Sequence, residues 1–357
     1  MRCHGVYATA YPQEALRRTR PLIYNPSVRT IQRIALLAAC AAVAAPGCGG
    51  RRDVIALRIG HDQPAGHPYD LAAVRFARGV EQASGGRIRV AVYAAAQLGD
   101  SPEQIEGLHL GTLDVALAAF SHASQFCPEL GLFGAPYLFR DERHFAAVFD
   151  GPIGDELDRA CGRRYGLRLL ATLTSGDRVF FNGRRAIERG ADLAGLKVRV
   201  MGGEADALTW QAFGAIPVPM PYSEVYSALQ AGVIDGAENE PASILSNRFY
   251  EAARYIAPTR HLVLPMGLFI SDRTLDRLSE SDRELVRRQA RETAQWERAL
   301  MVERNAAALA EMQQRYGVRL STLDGAELRD KALPVQDQVA GKLQLQDLLS
   351  RVRAAGR

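Results

Sequence analysis

Most of the patterns that announce chemistry are missing from this chain. Its seven histidines are dispersed among 357 residues, and no CxxC pair or histidine set with metal-ligand spacing occurs, so a structural zinc site is not expected. No GxGxxG or Walker loop stands at a strand-to-helix turn, which removes the support for a nucleotide cofactor, and no cofactor of any kind is expected. There is no nucleophile elbow, and no catalytic cysteine has a partner. Asp235, Glu238 and His261 are the groups an acid-base enzyme would have to use, and without further residues to complete a site the chain is not expected to be an enzyme. Charge of one sign is also lacking, because 44 basic residues face 40 acidic ones for a net +4. The arginines do not gather in a tract interleaved with aromatics, so nucleic acid is not an expected partner. Internal repeats and a disordered linker are absent too.

What is present begins with size. A chain of 357 residues, 47% of them hydrophobic, exceeds what one compact domain usually holds, and two domains are expected. Residues 1–48 read as a leader: Arg29 and Arg33 precede an apolar run from Ile34 to Ala45, too short to span a bilayer and followed by small residues, which is the pattern of a secretory signal. Cys40 and Cys48 both lie where a lipoprotein peptidase would cut. Cys48 is the better candidate for cleavage or lipidation, because cutting at Cys40 leaves only a short hydrophobic stretch. Pro46 is awkward in a lipobox, so cleavage without lipidation stays open. An exported mature chain would retain Cys127 and Cys161 in an oxidising compartment, where they could pair, although spacing alone does not establish the bond.

Beyond the leader the periodicity alternates. "VIALRIG" and "RIRVAVY" read as strands around a helix that places Leu71, Val74, Ala77 and Val80 on one face and ends at Gly85 and Gly86. "SPEQIEGLHLG" reads as a helix capped by Ser101, and strand "LDVALA" follows. This order argues for a parallel α/β sheet with a ligand crevice at the carboxyl ends of its strands. A second unit holds "LKVRV", a helix closed by Gly214, strand "IPVPM", a helix capped by Ser223, and "VIDGA" running into "ENEP". The apolar run in "RHLVLPMGLFIS" could carry the chain back to the first unit. A helix signalled by Ser281 and Glu284 then continues to about Tyr316, either bracing both units or lying as a solvated amphipathic helix. In "GLKVRVMGG", Val198 and Val200 alternate with Lys197 and Arg199, so the arginine points away from the valines. That pattern fits the solvent face of an edge strand as well as a binding site.

Three stretches, "DLAGLKVRV", "FGAIPVPMPYSEVYSALQAGVIDGAENEP" and "RFYEAARYIAPTRH", resemble the core signature of the solute-binding proteins of tripartite ATP-independent periplasmic (TRAP) transporters. "HPYDLAAVRFARGVEQASGGRIRV" and "PYLFRDERHF" match other parts of the same family, and the resemblance spans roughly residues 55 to 320 with motif order kept. It implies an α/β, two-domain periplasmic-binding-protein-like fold of type II, with a cleft between the domains and a long C-terminal helix bracing them. Domain I is expected over 53–175 plus about 265–304, and domain II over 176–264 plus about 305–357. The implied function is an extracytoplasmic receptor that closes on an organic acid and passes it to a permease of one small and one large membrane subunit. An exported sensor subunit for a signalling partner is the alternative.

By the same resemblance, Arg199 pairs with the ligand carboxylate, Asn239 contacts the same region, Arg178 is a further ligand-side arginine and Tyr222 packs against the ligand. Glu238, Gln97 and Asp62 complete the candidates, Glu238 either accepting from the ligand or holding the Asn239 loop. Ala119 and Asp62 stand where sialic-acid receptors of the family carry a carboxylate and an asparagine, which disfavours sialic acid. "IDGAENEPAS", with His61, Asp62 and Gln63 available for hydroxyls, favours a uronate or other sugar acid, while short dicarboxylates and keto acids remain open.

Overall fold

The computed structural model describes residues 54–356; the leader and Cys48 lie outside the described residues. The chain builds two sheets in two lobes. In the first lobe are β1 (Ile55–Gly60), β2 (Ile88–Tyr93), β3 (Val115–Ala119) and β4 (Leu167–Asp177). The second holds β5 (Val179–Asn182), β6 (Lys197–Val200), β7 (Ile216–Pro219), β8 (Gly236–Asn239) and β9 (Tyr255–Ala257). β10 (Val263–Ser271) then returns to the first sheet and β11 (Arg319–Leu320) to the second. The sheet orders are β2-β1-β3-β10-β4 and β11-β9-β5-β8-β6-β7.

Neither sheet is wholly parallel. β1 pairs parallel with β2 and β3, but β10 lies antiparallel between β3 and β4, and β5 is antiparallel to β8 and β9. The strands that break the parallel pattern are those next to the lobe crossings. β10 arrives from the other lobe without a helical crossover of its own, so nothing forces it into the parallel direction.

Local expectations were met unevenly. Helix Pro68–Ala83 buries Ala72, Ala73, Phe76 and Val80, while Leu71 and Val74 are only half-buried, so its core face is rotated from the one read in the sequence. Helix Ser101–Leu110 has Asp100 at its N-cap position, and the Ser101 hydroxyl instead donates to Asp62 Oδ2 at 2.8 Å. Ser223 donates to Asp100 Oδ2 at 2.6 Å rather than capping a helix. The long helix Glu280–Tyr316 is capped by Ser279, whose Oγ accepts from the Asp282 N–H at 3.2 Å, two residues before the expected Ser281. In each case a hydroxyl followed its best local or tertiary partner, which sequence spacing does not reveal.

The long helix is a brace and not a solvated rod. Val286, Ala290, Ala294 and Met301 join the first lobe's core, and Met312 joins the second's. Midway, Asn305 Nδ2 donates to the Ser175 carbonyl at 2.9 Å and its Oδ1 accepts from the Ala242 N–H at 3.0 Å, so one side chain ties both lobes at the hinge. The C-terminal tail, expected wholly in the second domain, divides. Leu328 and Ala332 pack with the second lobe, while Val335, Val339, Leu348, Leu349 and Val352 pack on Leu130, Phe133 and Phe145 of the first. Within that first-lobe core, Cys127 and Cys161 are joined in a disulfide. Among the described residues no helix is long and apolar enough to cross a membrane.

Candidate functional site

The carboxyl ends of the parallel strands point into the gap between the lobes, as sheets of this kind require. Asp62 and Gln63 follow β1, His122 follows β3, Arg178 lies between β4 and β5, and Glu240 follows β8. Together with Arg199, Tyr222 and Asn239 they surround a cavity of about 30 Å³. Its apolar wall is Ala119, Met201, Leu264 and Met266. A larger hollow of about 570 Å³ runs along the hinge. Its charged lining residues, Arg140, Asp141, Glu142, Asp177 and Arg260, are all exposed, so water already solvates them and no charged ligand is called for there.

The cleft differs because its charges are buried. Arg178 is 4% exposed and Arg199 2%, and their surroundings contrast. Arg178 is fully compensated: Nη2 donates to Glu238 Oε1 at 2.8 Å and to the Glu238 carbonyl at 2.9 Å, Nη1 donates to Glu240 Oε2 at 2.7 Å, and Nε donates to Glu238 Oε2. Burial opposes its charge, but the two carboxylates outweigh burial and raise its pKa. Reciprocally, burial would raise the Glu238 carboxyl, yet Arg178 holds it below the usual range. The Glu240 carboxyl is raised by burial in spite of Arg178.

Arg199 has no carboxylate within ion-pair distance among the described residues. Its Nε and Nη2 donate to the Met220 carbonyl at 3.1 and 3.0 Å, and its guanidinium lies 5.6 Å from the Tyr222 ring centroid. Burial pulls its pKa down. A guanidinium has five N–H donors, so Nη1 and part of Nη2 retain the planar fork that a carboxylate fits.

Tyr222 and Asn239 act together. Asn239 Nδ2 donates to the Tyr222 hydroxyl at 3.0 Å, and so does Asn247 Nδ2 at 3.0 Å. Asn247 Nδ2 also reaches Gln63 Oε1 of the opposite lobe at 3.0 Å. Asn239 Oδ1 accepts from the Glu240 N–H at 3.1 Å, which fixes the turn after β8. Asp62 accepts from Ser101 and, at 3.2 Å, from Gln63 Nε2, and burial raises its pKa. Of the seven ligand candidates, Asp62, Arg178, Arg199, Tyr222 and Asn239 line the cavity. Glu238 stands behind them as the partner of Arg178, and Gln97 is exposed and outside the lining.

Sequence reasoning missed His122, Asn247 and the full role of Gln63. His122 lies three residues past the end of β3, which is the only signal that could have flagged it. Its Nδ1 is buried without a hydrogen-bond partner among the described residues. Burial, and then the charges of Arg199 and Arg178, lower its pKa to about 3, so the ring is neutral.

One cluster has the residue types of a hydrolytic triad without its proton arrangement. His67 Nε2 lies 3.0 Å from Ser243 Oγ, and Ser243 donates to Glu240. His67 Nδ1, however, accepts from the Tyr69 N–H at 3.2 Å, so the ring proton sits on Nε2 and points at Ser243. That imidazole cannot take the serine proton. Among the described residues no group of three or more His, Cys, Asp or Glu is arranged to hold a metal ion.

With the geometry in view, comparison with known proteins is informative. The profile of the bacterial extracellular solute-binding proteins, family 7, matches residues 59–342. A solute-binding protein of Verminephrobacter eiseniae is 33% identical over 341 residues, 93% of this chain and 98% of that relative. The crystal structure of a TRAP periplasmic solute-binding protein from Bradyrhizobium sp., in complex with D-galacturonate, shares 35% identity with a TM-score of 0.80, covering 84% of this chain and 99% of that one. One from Polaromonas sp. bound to D-erythronate shares 30% identity with a TM-score of 0.81, covering 85% of this chain and 99% of that one.

Proposed function

The chain belongs to family 7 of the bacterial extracellular solute-binding proteins and is a receptor for an organic acid; on that premise we propose that the acid is a sugar acid, a uronate or an aldonate. The observation that carries this reading is the asymmetry of the two buried arginines. Arg178 is satisfied by Glu238 and Glu240, whereas Arg199 is equally buried and has no anionic partner among the described residues. A ligand carboxylate docking on the free edge of Arg199 would supply the missing charge in a bidentate, charge-assisted pair.

The rest of the lining favours hydroxyls over a second carboxylate. Asp62 and Glu240 both face the cavity, and a dicarboxylate would bring its second charge against them, whereas sugar hydroxyls can donate to both. The structures bound to galacturonate and erythronate support the same class. The binding residues are Arg199 for the carboxylate, with Asn239, Asp62 and Tyr222 around the rest of the ligand. Arg178 and Glu238 are better read as the scaffold that holds the Asn239 turn.

Export through the leader, with or without lipid attachment at Cys48, and delivery to a permease of one small and one large membrane subunit complete the proposal. The Cys127–Cys161 disulfide supports an oxidising compartment.

A thermal-shift screen against uronates, aldonates, C4-dicarboxylates and 2-keto acids tests it. An acid at about a hundred times its dissociation constant stabilises the fold by about 2.7 kcal/mol, which reads as several degrees. A response confined to uronates or aldonates is expected. A response confined to C4-dicarboxylates or 2-keto acids would overturn the substrate class while leaving the receptor in place.

A further inference from the structure

We propose that His122 is a specificity-determining residue of this receptor, hydrogen-bonding through its imidazole to the hydroxyl nearest the carboxylate that Arg199 holds. The proposal rests on the sugar-acid reading above and adds the group that tells one such acid from another.

Several polar groups in the cavity already have partners within the protein. Asp62 accepts from Ser101 and Gln63, Glu240 from Arg178 and Ser243, and the Tyr222 hydroxyl from Asn239 and Asn247. Arg199 keeps a free edge. His122 lines the same cavity, and its Nδ1 is buried with no partner at all. A buried polar atom without a partner is costly and uncommon, and in a binding cleft the natural explanation is that the ligand completes it. Besides the free edge of Arg199 and the carboxylates of Asp62 and Glu240, His122 is therefore the lining residue that carries an unpartnered polar atom among the described residues.

The residue is also held firmly enough to discriminate. It sits in the one-turn helix Phe120–Ala123 directly after β3, between neighbours that anchor it, since Phe120 and Ala123 are both fully buried. Phe120 packs edge-on against Phe133 and Phe149. A ring fixed on such a mount cannot follow a hydroxyl that moves to the other face of a sugar.

Charge state then sets what the ring can do. The positive charges of Arg199 and Arg178 reach His122, so an imidazolium there would face two like charges, and the ring stays neutral. A neutral imidazole offers one N–H and one lone pair. It leaves the carboxylate to Arg199 and suits a hydroxyl, which can accept from the N–H or donate to the lone pair. The hydroxyl closest to a carboxylate held at Arg199 is the one on C4 of a uronate or on C2 of an aldonate.

Two epimer pairs isolate that hydroxyl: D-glucuronate with D-galacturonate, which differ at C4, and D-gluconate with D-mannonate, which differ at C2. Dissociation constants would be measured by calorimetry for the parent, His122→Leu and His122→Asn, with thermal melts to confirm that each variant folds. The parent is expected to prefer one epimer of a pair by about tenfold, the scale of one good hydrogen bond. His122→Leu should collapse that ratio to within about twofold, while His122→Asn, which restores a donor and an acceptor near Nδ1, should keep part of it. Because the ring stays neutral, the parent ratio should not change between about pH 6 and pH 8. A parent without epimer preference, or a preference that survives in His122→Leu, would overturn the role of His122 alone. A parent that binds none of the four sugar acids but responds to a dicarboxylate or keto acid would overturn the sugar-acid reading, and this role with it.

Discussion

Replacing Arg199 with methionine separates what this residue does for the fold from what it does for the ligand. In the protein without ligand, the substitution removes two charge-assisted hydrogen bonds that share the Met220 carbonyl, a loss of roughly 1.5–3 kcal/mol. It also removes a buried charge that no carboxylate offsets, and relief of that desolvation, several kcal/mol per ion in general, acts the other way. Methionine keeps an unbranched stem beneath Tyr222, so packing changes little. Stability should therefore stay level or rise. With the acid bound, the ligand carboxylate would sit buried without a partner, at a cost of roughly 3–5 kcal/mol, or about two to three and a half orders of magnitude in Kd. Calorimetry with the best acid from the screen, beside urea unfolding of the ligand-free protein, reads both quantities. A Kd within about threefold of the parent would refute the carboxylate role. A ligand-free protein weakened by several kcal/mol would show that the charge of Arg199 is compensated after all. Arg199→Lys adds a finer reading, since it keeps the charge but loses the planar fork and should fall between parent and methionine variant.

Three further outcomes follow from the same geometry. Arg178→Met should behave oppositely to Arg199→Met: it strands Glu238 and Glu240, both almost fully buried, and should destabilise the fold by roughly 3–5 kcal/mol in urea unfolding, with an unchanged melt counting against the scaffold role. Gln63→Ala removes the acceptor that Asn247 reaches across the cleft, so the ligand-induced decrease in scattering radius should shrink and acid affinity fall about tenfold; an identical decrease would show that this contact does not hold the lobes. Asp206, 6% exposed with Oδ2 unpartnered, is pushed up to about 7 by burial and by Glu238, with Arg178 and Arg199 acting against them. It binds its proton more tightly folded than unfolded, so its contribution to stability is full below about pH 4 and declines by up to about 4 kcal/mol as pH rises to 7. Asp206→Asn should remove that decline, leaving the variant more stable than the parent at pH 8 and similar at pH 4; parallel pH curves would contradict the assignment.

How much was legible in the sequence depended on how local the cause was. Strands β1, β2 and β6 could be read because each alternates or runs apolar within its own few residues, and Arg199 stood out as a charge on such a strand. Whether that charge meets water or a cleft could not be read, since the answer depends on β6 being flanked by β7 and β8 on the side of the sheet that faces the other lobe. Arg178 shows the limit most clearly. Nothing near it in the chain marks it as compensated, because its carboxylates come from 60 and 62 residues away. His122 has no spacing partner at all, and only the approach of β3 and β6 places it in the same cavity as Arg199. Gln97 is the converse case: it was a candidate by resemblance, but the turn after β2 leaves it exposed and outside the cavity lining. The antiparallel entry of β10 and the division of the tail between lobes are likewise decided by where distant apolar faces find each other.

The two arginines also bear on what keeps such a receptor from closing on nothing. Across the cleft the shorter polar contacts between the lobes are Asn247 to Gln63 at 3.0 Å, His67 to Ser243 at 3.0 Å and Ser223 to Asp100 at 2.6 Å, with longer ones from Ser243 and Tyr222 to Gln63 at 3.4 and 3.5 Å and from Ser121 to Met201 at 3.5 Å. Each is worth about 1 kcal/mol net, so closure gains only a few kcal/mol from them. Against that gain stands the burial of Arg199 without a counter-charge, a cost of similar or larger size. Without ligand the terms nearly cancel, and both open and closed lobes are accessible. On the proposed pairing, an acid would remove the Arg199 penalty only when the lobes are shut, because only then would its carboxylate be desolvated beside the guanidinium. The ligand would then bind the closed state far better than the open one, and that differential would shift the population. Had Arg199 been compensated as Arg178 is, the empty protein would close as readily as the loaded one, and a partner that reads closure could not tell them apart.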